Sequence, residues 1–300
     1  MPLPSHVTIV EVGPRDGLQN EPGVVTTEAK SAFIDALSAS GLTRIEVTAF
    51  VSARWVPQMA DAADVCARIT RVPNVIYSAL VPNVAGLERA LAAGIDEVAI
   101  FAAASETFSV RNINQSIDAS LEGYRTVCDR AARHRLPVRG YLSTCFGCPY
   151  EGDVAPDAVA RVALALHEMG VREVAISDTI GVAHPGQIGR VLDAVTRVVP
   201  LERLALHLHD TRGMAAANVL AGLQCGITTF DSAAGGLGGC PFAPGASGNL
   251  ATEELLYLLN GLDIHTGVSL DAVAAASRSL SGALGRPLPS RYLRATERRG

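Results

Sequence analysis

The chain has 300 residues, 48% of them hydrophobic, enough to bury one large core, and length alone permits one barrel or two smaller domains. Charged residues make up 18% and the net charge is −5, so no broad basic surface points to nucleic acid or an anionic membrane. No uncharged apolar run of about 20 residues is present, which argues against a membrane span.

In chain order, β patterns fall at Val7–Val12, Arg44–Thr48, Val75–Leu80, Glu97–Phe101, Pro137–Ser143, Glu173–Ser177, Leu204–His209 and Thr228–Ser232. The first begins so early that no signal or transit segment is expected before it. Helical patterns alternate with the strands. Thr27 is the expected cap of a helix whose Ala29, Phe33, Ile34 and Leu37 share one face, with Gly41 beyond its end. Ala155–Met169 and Pro185–Val199 read similarly. A weak repeat marks four corners, at Gly41, Gly94, Gly170 and Gly226, each glycine followed by apolar residues one and four positions on. Such a glycine ends a helix in a left-handed turn, and the chain then enters a buried strand. Eight alternations predict an α/β fold, a (β/α)8 TIM barrel, with an open doubly wound sheet as the competing arrangement. The expected division is a catalytic barrel over residues 1–267 and a C-terminal helical extension over 268–300, packed on the barrel.

In such a barrel the active site lies at the C-terminal strand ends. Those ends carry Arg15-Asp16, Glu46, Arg139 with Tyr141, Asp178, and His207-Leu208-His209-Asp210. His207 and His209, two apart on a strand, point to one face and can share a cation. Strands one and seven contribute to the same interior layers, so Asp16 can join them, with Asn249 offering a carbonyl oxygen. This mixed oxygen and imidazole set suits Mg2+, Mn2+, Fe2+ or Zn2+. Arg15 beside it can stabilise an enolate oxygen, and Glu46 can hold that arginine in place. Asp178 and Asp210 are open between supporting the site and holding structure.

After the eighth strand, residues 235–249 contain six glycines around Cys240, the composition of a mobile flap that brings a thiol to a substrate. The other cysteines, including the Cys145-x-x-Cys148 pair, form no disulfide framework, and a structural zinc would need a second pair. Free thiols suit a cytoplasmic protein.

Glu11-Val12-Gly13-Pro14-Arg15-Asp16-Gly17-Leu18-Gln19-Asn20, His207-x-His209-Asp210, and Gly-Leu-Gly-Gly-Cys-Pro ending at Pro241 together resemble the 3-hydroxy-3-methylglutaryl-CoA (HMG-CoA) lyase family. The likeness runs from about residue 7 to residue 267 and includes Phe50-Val51-Ser52, Trp55–Met59, Gly147–Gly152 and Ala246–Glu253. It implies a metal-dependent barrel lyase with Mg2+ or Mn2+ on Asp16, His207, His209 and Asn249. It also implies catalytic roles for Arg15, Asp16, Glu46, His207 and Cys240, and substrate contacts from Gln19, Arg139, Tyr141 and Asp178. An acyl-CoA substrate and a homodimer follow from the same resemblance. Two departures stand out: Ala49 where the family often has serine, and Pro22 where some members have lysine.

The implied chemistry is retro-Claisen cleavage of HMG-CoA to acetyl-CoA and acetoacetate, as in leucine degradation or ketone-body formation. Either Asp16 or His207 takes the hydroxyl proton, and Cys240 protonates the acetyl-CoA enolate. The alternatives are a lyase for a related 3-hydroxyglutaryl-CoA with another C3 substituent, a condensing enzyme joining acetyl-CoA to a 2-oxo acid, and a non-catalytic barrel.

Overall fold

The computed structural model describes residues 2–239 and 248–297. Eight parallel strands close into a barrel in sequence order: β1 (Thr8–Glu11), β2 (Arg44–Ala49), β3 (Ile76–Leu80), β4 (Glu97–Ala103), β5 (Val138–Ser143), β6 (Glu173–Asp178), β7 (Leu204–Leu208) and β8 (Thr229–Ser232). The seam is β1 against β8, from Thr8 opposite Thr229 to Glu11 opposite Ser232. Helices α1 (Thr27–Ser38), α2 (Ala62–Arg68), α3 (Val84–Ala92), α4 (Glu106–Ile113), α5 (Ile117–Arg133), α6 (Pro156–Glu168), α7 (Pro185–Val195), α8 (Ala215–Gln224) and α9 (Thr252–Gly261) follow the strands. The expected (β/α)8 barrel is therefore the observed fold, and the open sheet is excluded. Beyond it, α10 (Leu270–Leu284) packs on α1, and α11 (Arg291–Ala295) packs on α9.

Parallel strands covered on both faces are buried almost throughout, and these mix Val, Ile, Leu and Ala with buried charged and polar groups. The helices add one apolar stripe each. In α5 the buried Leu121, Tyr124, Val127, Cys128 and Ala131 recur at spacings of three and four. The four corner glycines all carry positive φ, from 67° to 96°, as the repeat predicts. The cap of α1 is Thr26 rather than Thr27: the Thr26 backbone is extended and its hydroxyl accepts from the Ala29 amide. Thr27 is already helical, and its hydroxyl donates to Asp61 instead.

The barrel interior carries a ladder of charge. Arg44 at the start of β2 pairs with Glu97 of β4 and Glu173 of β6. Glu173 also accepts from Nε of Arg139 on β5 at 2.7 Å. Arg139 then forms a two-pronged pair with Asp231 of β8, at 2.9 and 2.7 Å. All five groups are buried. Burial alone would disfavour the charged forms, but Arg139 and the His207 contact hold the Asp231 carboxyl down at about 2.

Candidate active site

The mouth of the barrel is built first by the turn after β1. The carbonyl of Val12 accepts from the amides of Arg15, Asp16 and Gly17, winding Gly13–Gly17 into one π-helical turn. Arg15 and Asp16 thus sit on this turn and not on the strand end itself. Buried Glu11 secures the turn, accepting from the Gly13 amide at 2.7 Å and from the Ala234 amide beyond β8 at 2.9 Å. Gly17 is needed for a close approach: a β-carbon there would lie 2.7 Å from Cβ of Leu237. The π-turn and the root of the glycine-rich loop are therefore packed together.

From this turn Arg15 reaches Glu46 of β2 (Nε to Oε2, 2.6 Å) and its neighbour Asp16 (2.6 Å). Its guanidinium also lies 5.2 Å from the ring centre of Tyr141 on β5, whose hydroxyl donates to the same Glu46 oxygen at 3.1 Å. Across the mouth, His207 is the penultimate residue of β7. His209 lies one residue past the strand, where its backbone bridges to Asn249. The two imidazole centres are 5.3 Å apart. Candidate ligand atoms of Asp16, His207 and His209 all lie within 4.8 Å of one another, and among the described residues these form the one such cluster. Asn249 joins it by donating from Nδ2 to Asp16 at 2.8 Å, so its amide oxygen is the atom it can offer a cation.

Electrostatics prepare the cluster for a cation. Burial would raise the Asp16 carboxyl, but Arg15 and the two histidines hold it well below the usual carboxylate range. Burial, reinforced by His207, pushes His209 down to about 4, so the ring is neutral at physiological pH. Nδ1 of His209 and Oε1 of Glu46 are buried with no hydrogen-bond partner among the described residues. A carboxylate, two imidazoles and an amide oxygen fit a divalent cation, and an unpartnered buried imidazole nitrogen beside them agrees with that fit.

Not every residue singled out in the sequence gathers here. Arg139 spends its guanidinium on Asp231 and Glu173 within the ladder. Both oxygens of Asp178 accept backbone amides, from Val182 and Ala183, so it shapes the loop into α7; burial raises it to about 6. Gln19 is half-buried just after the π-turn. Cys240 lies outside the described residues. Cys145 and Cys148 are free and buried: one thiol donates to the Leu142 carbonyl, and the other is bonded to Ser105. The sequence reading missed Asp231, whose Oδ2 lies 3.1 Å from Nδ1 of His207. The available signal was a carboxylate in the middle of a barrel strand, between Phe230 and Ser232.

A closed parallel barrel with an Asp–His–His cluster at the C-terminal strand ends places a candidate cation site where barrel enzymes carry their chemistry. The model of the HMGL-like family matches residues 6–280. The chain is 54% identical over 295 residues to the 3-hydroxy-3-isohexenylglutaryl-CoA/hydroxy-methylglutaryl-CoA lyase of Pseudomonas aeruginosa, covering 98% of each chain. It is 51% identical over 293 residues to the hydroxymethylglutaryl-CoA lyase YngG of Bacillus subtilis, again with 98% of each covered. The crystal structure of the P. aeruginosa hydroxymethylglutaryl-CoA lyase superposes with a TM-score of 0.97 over 98% of both chains. This chain belongs to the HMG-CoA lyase family.

Proposed function

We propose that this protein cleaves HMG-CoA to acetyl-CoA and acetoacetate at the barrel mouth. The observation that carries the reading is the Asp16–His207–His209 cluster set directly beside an arginine locked by Glu46. Asp16, His207, His209 and the Asn249 oxygen would hold a Mg2+ or Mn2+ ion, which would supply Lewis-acid chemistry to the substrate's oxygens.

The chain's own residues supply the rest. Asp16 accepts the proton of the substrate's tertiary hydroxyl, because His207 faces Asp231 with one ring nitrogen and the cluster with the other. As that oxygen becomes the ketone of acetoacetate, the carbon–carbon bond breaks and its electron pair passes into the thioester enolate of acetyl-CoA. Arg15 stabilises the enolate oxygen, held in place by Glu46 and stacked on Tyr141, so it needs no reorganisation when the charge appears. Cys240 then returns a proton to the enolate carbon. Gln19 is proposed to contact the substrate, whereas Arg139 and Asp178 act on it through the elements they hold.

A second reading, cleavage of 3-hydroxyglutaryl-CoA esters with a larger C3 substituent, is favoured by the isohexenyl substrate in the name of the P. aeruginosa relative. An acyl-CoA ligand agrees with the lyase of Acinetobacter baumannii solved with coenzyme A and 3-methylmalate, which is 37% identical with a TM-score of 0.93 over 98% of this chain and 96% of that one. We further propose a homodimer acting in the cytoplasm in leucine breakdown or ketone-body formation; the free thiols support a reducing compartment.

The test is incubation of the protein with HMG-CoA and Mg2+, with and without EDTA. Acetoacetate released only when metal is present supports the reading. No cleavage of HMG-CoA, with turnover of the isohexenyl ester instead, transfers the function to the second reading.

A further inference from the structure

His207 is gripped from the side away from the cluster. Its Nδ1 lies 3.1 Å from Oδ2 of Asp231, which stands beside it in register on the neighbouring strand β8. Asp231 is buried, and both its oxygens accept from Arg139. Arg139 is fixed in turn by Glu173, and Glu173 by Arg44, so the carboxylate is braced by groups reaching across the barrel. An ionised carboxylate can only accept, so its contact with the imidazole requires the hydrogen to be on Nδ1. The other ring nitrogen, Nε2, then carries the lone pair that His207 brings to Asp16 and His209.

We propose that Asp231, clamped by Arg139, is a positioning residue that fixes His207 as the Nδ1–H tautomer and thereby sets the cation affinity of the Asp16–His207–His209 cluster. The inference rests on that cluster being a cation site. Asp231 acts through the imidazole: it restricts the ring's rotation and makes Nε2 a stronger donor. Losing such an outer partner typically weakens metal binding by about 10- to 100-fold.

The experiment is Mn2+ titration of the metal-stripped full-length protein, read by calorimetry, for the wild type and for Asp231→Asn. The side chain of Asp231→Asn keeps its size but offers one acceptor oxygen where Arg139 and His207 need two. The expected result is a dissociation constant raised about 10- to 100-fold in a variant whose circular dichroism is unchanged. A folded Asp231→Asn that binds Mn2+ as tightly as the wild type overturns the proposal. A wild type that binds no Mn2+ overturns the cation site itself, which is a separate failure. Should Asp231→Asn not fold, 15N spectra of the metal-free wild type decide, with the His207 signals assigned by their loss in His207→Gln. A hydrogen on Nδ1 is expected, and a hydrogen on Nε2 overturns the proposal.

Discussion

Two groups of buried charge share the inside of this barrel, and they are constructed on opposite principles. In the ladder, three carboxylates, Glu97, Glu173 and Asp231, have every oxygen engaged by an arginine, from Arg44, Arg139 or Arg172. At the mouth, Glu46 and His209 each keep a buried polar atom without a partner among the described residues. Buried polar groups cost free energy unless they are satisfied, and the ladder, where Nε of Arg44 is the exception, comes close to what a stable interior demands. The mouth departs from it where a cation and a substrate would supply the missing partners. Polar residues at strand ends are thus of two kinds, those that hold and those kept ready to react.

Variants can break this contrast. The largest effect is expected for His207→Ala, which removes a cluster member. Turnover should fall by about 10²- to 10⁴-fold, while the melting temperature changes little because Asp231 keeps Arg139 on both oxygens. A melting temperature that falls as steeply as activity would place His207 with the holding residues. Arg139→Met tests the other side. It leaves buried Asp231 with only His207 and Glu173 with only Arg44, and denaturant unfolding should show a loss of about 3–5 kcal/mol. Full stability in Arg139→Met would mean that the ladder holds nothing.

A smaller effect concerns pH. Glu11 and Glu253 secure the root of the glycine-rich loop: Glu11 accepts from the Ala234 amide, and Glu253 from the Gly235 amide and Ser277. Burial raises them from 4.5 to about 8 and about 7 respectively. The folded state therefore holds more protons than the unfolded chain between pH 4.5 and 8. Their contribution is complete below the unfolded value and disappears as pH rises through the folded ones. His209 works in the opposite sense, but only between about 4 and 6.5. Stability should accordingly drop by about 2 kcal/mol from pH 6.5 to 8.5, and Glu11→Gln, which keeps acceptor and shape, should remove most of the drop. A flat profile in the wild type would show that both acids are already ionised in the folded protein.

Much of this was legible in the sequence because it depends on local pattern. Every strand was placed to within two residues at each end, since apolar runs bounded by glycine corners leave little freedom. His207, His209 and Asp16 were legible because two histidines two apart share a face and strands one and seven of a closed barrel contribute to the same interior layers. The partners of Arg139 were not, because register between parallel strands decides that it meets Asp231 and Glu173 rather than the mouth. Nor could pattern foretell that the loop after β6 turns back and supplies two amides to Asp178. The π-helical turn that carries Arg15 and Asp16 has no sequence period at all, being set by the close packing of Gly17 on Leu237.

The claim beneath all of this is that one cation sits among Asp16, His207 and His209. An anomalous difference map from crystals soaked in MnCl2 tests it directly. One strong peak about 2.0–2.3 Å from an oxygen of Asp16 and a nitrogen of each histidine is the predicted result. A map with no peak among these three side chains, or with manganese bound only elsewhere on the protein, would contradict it.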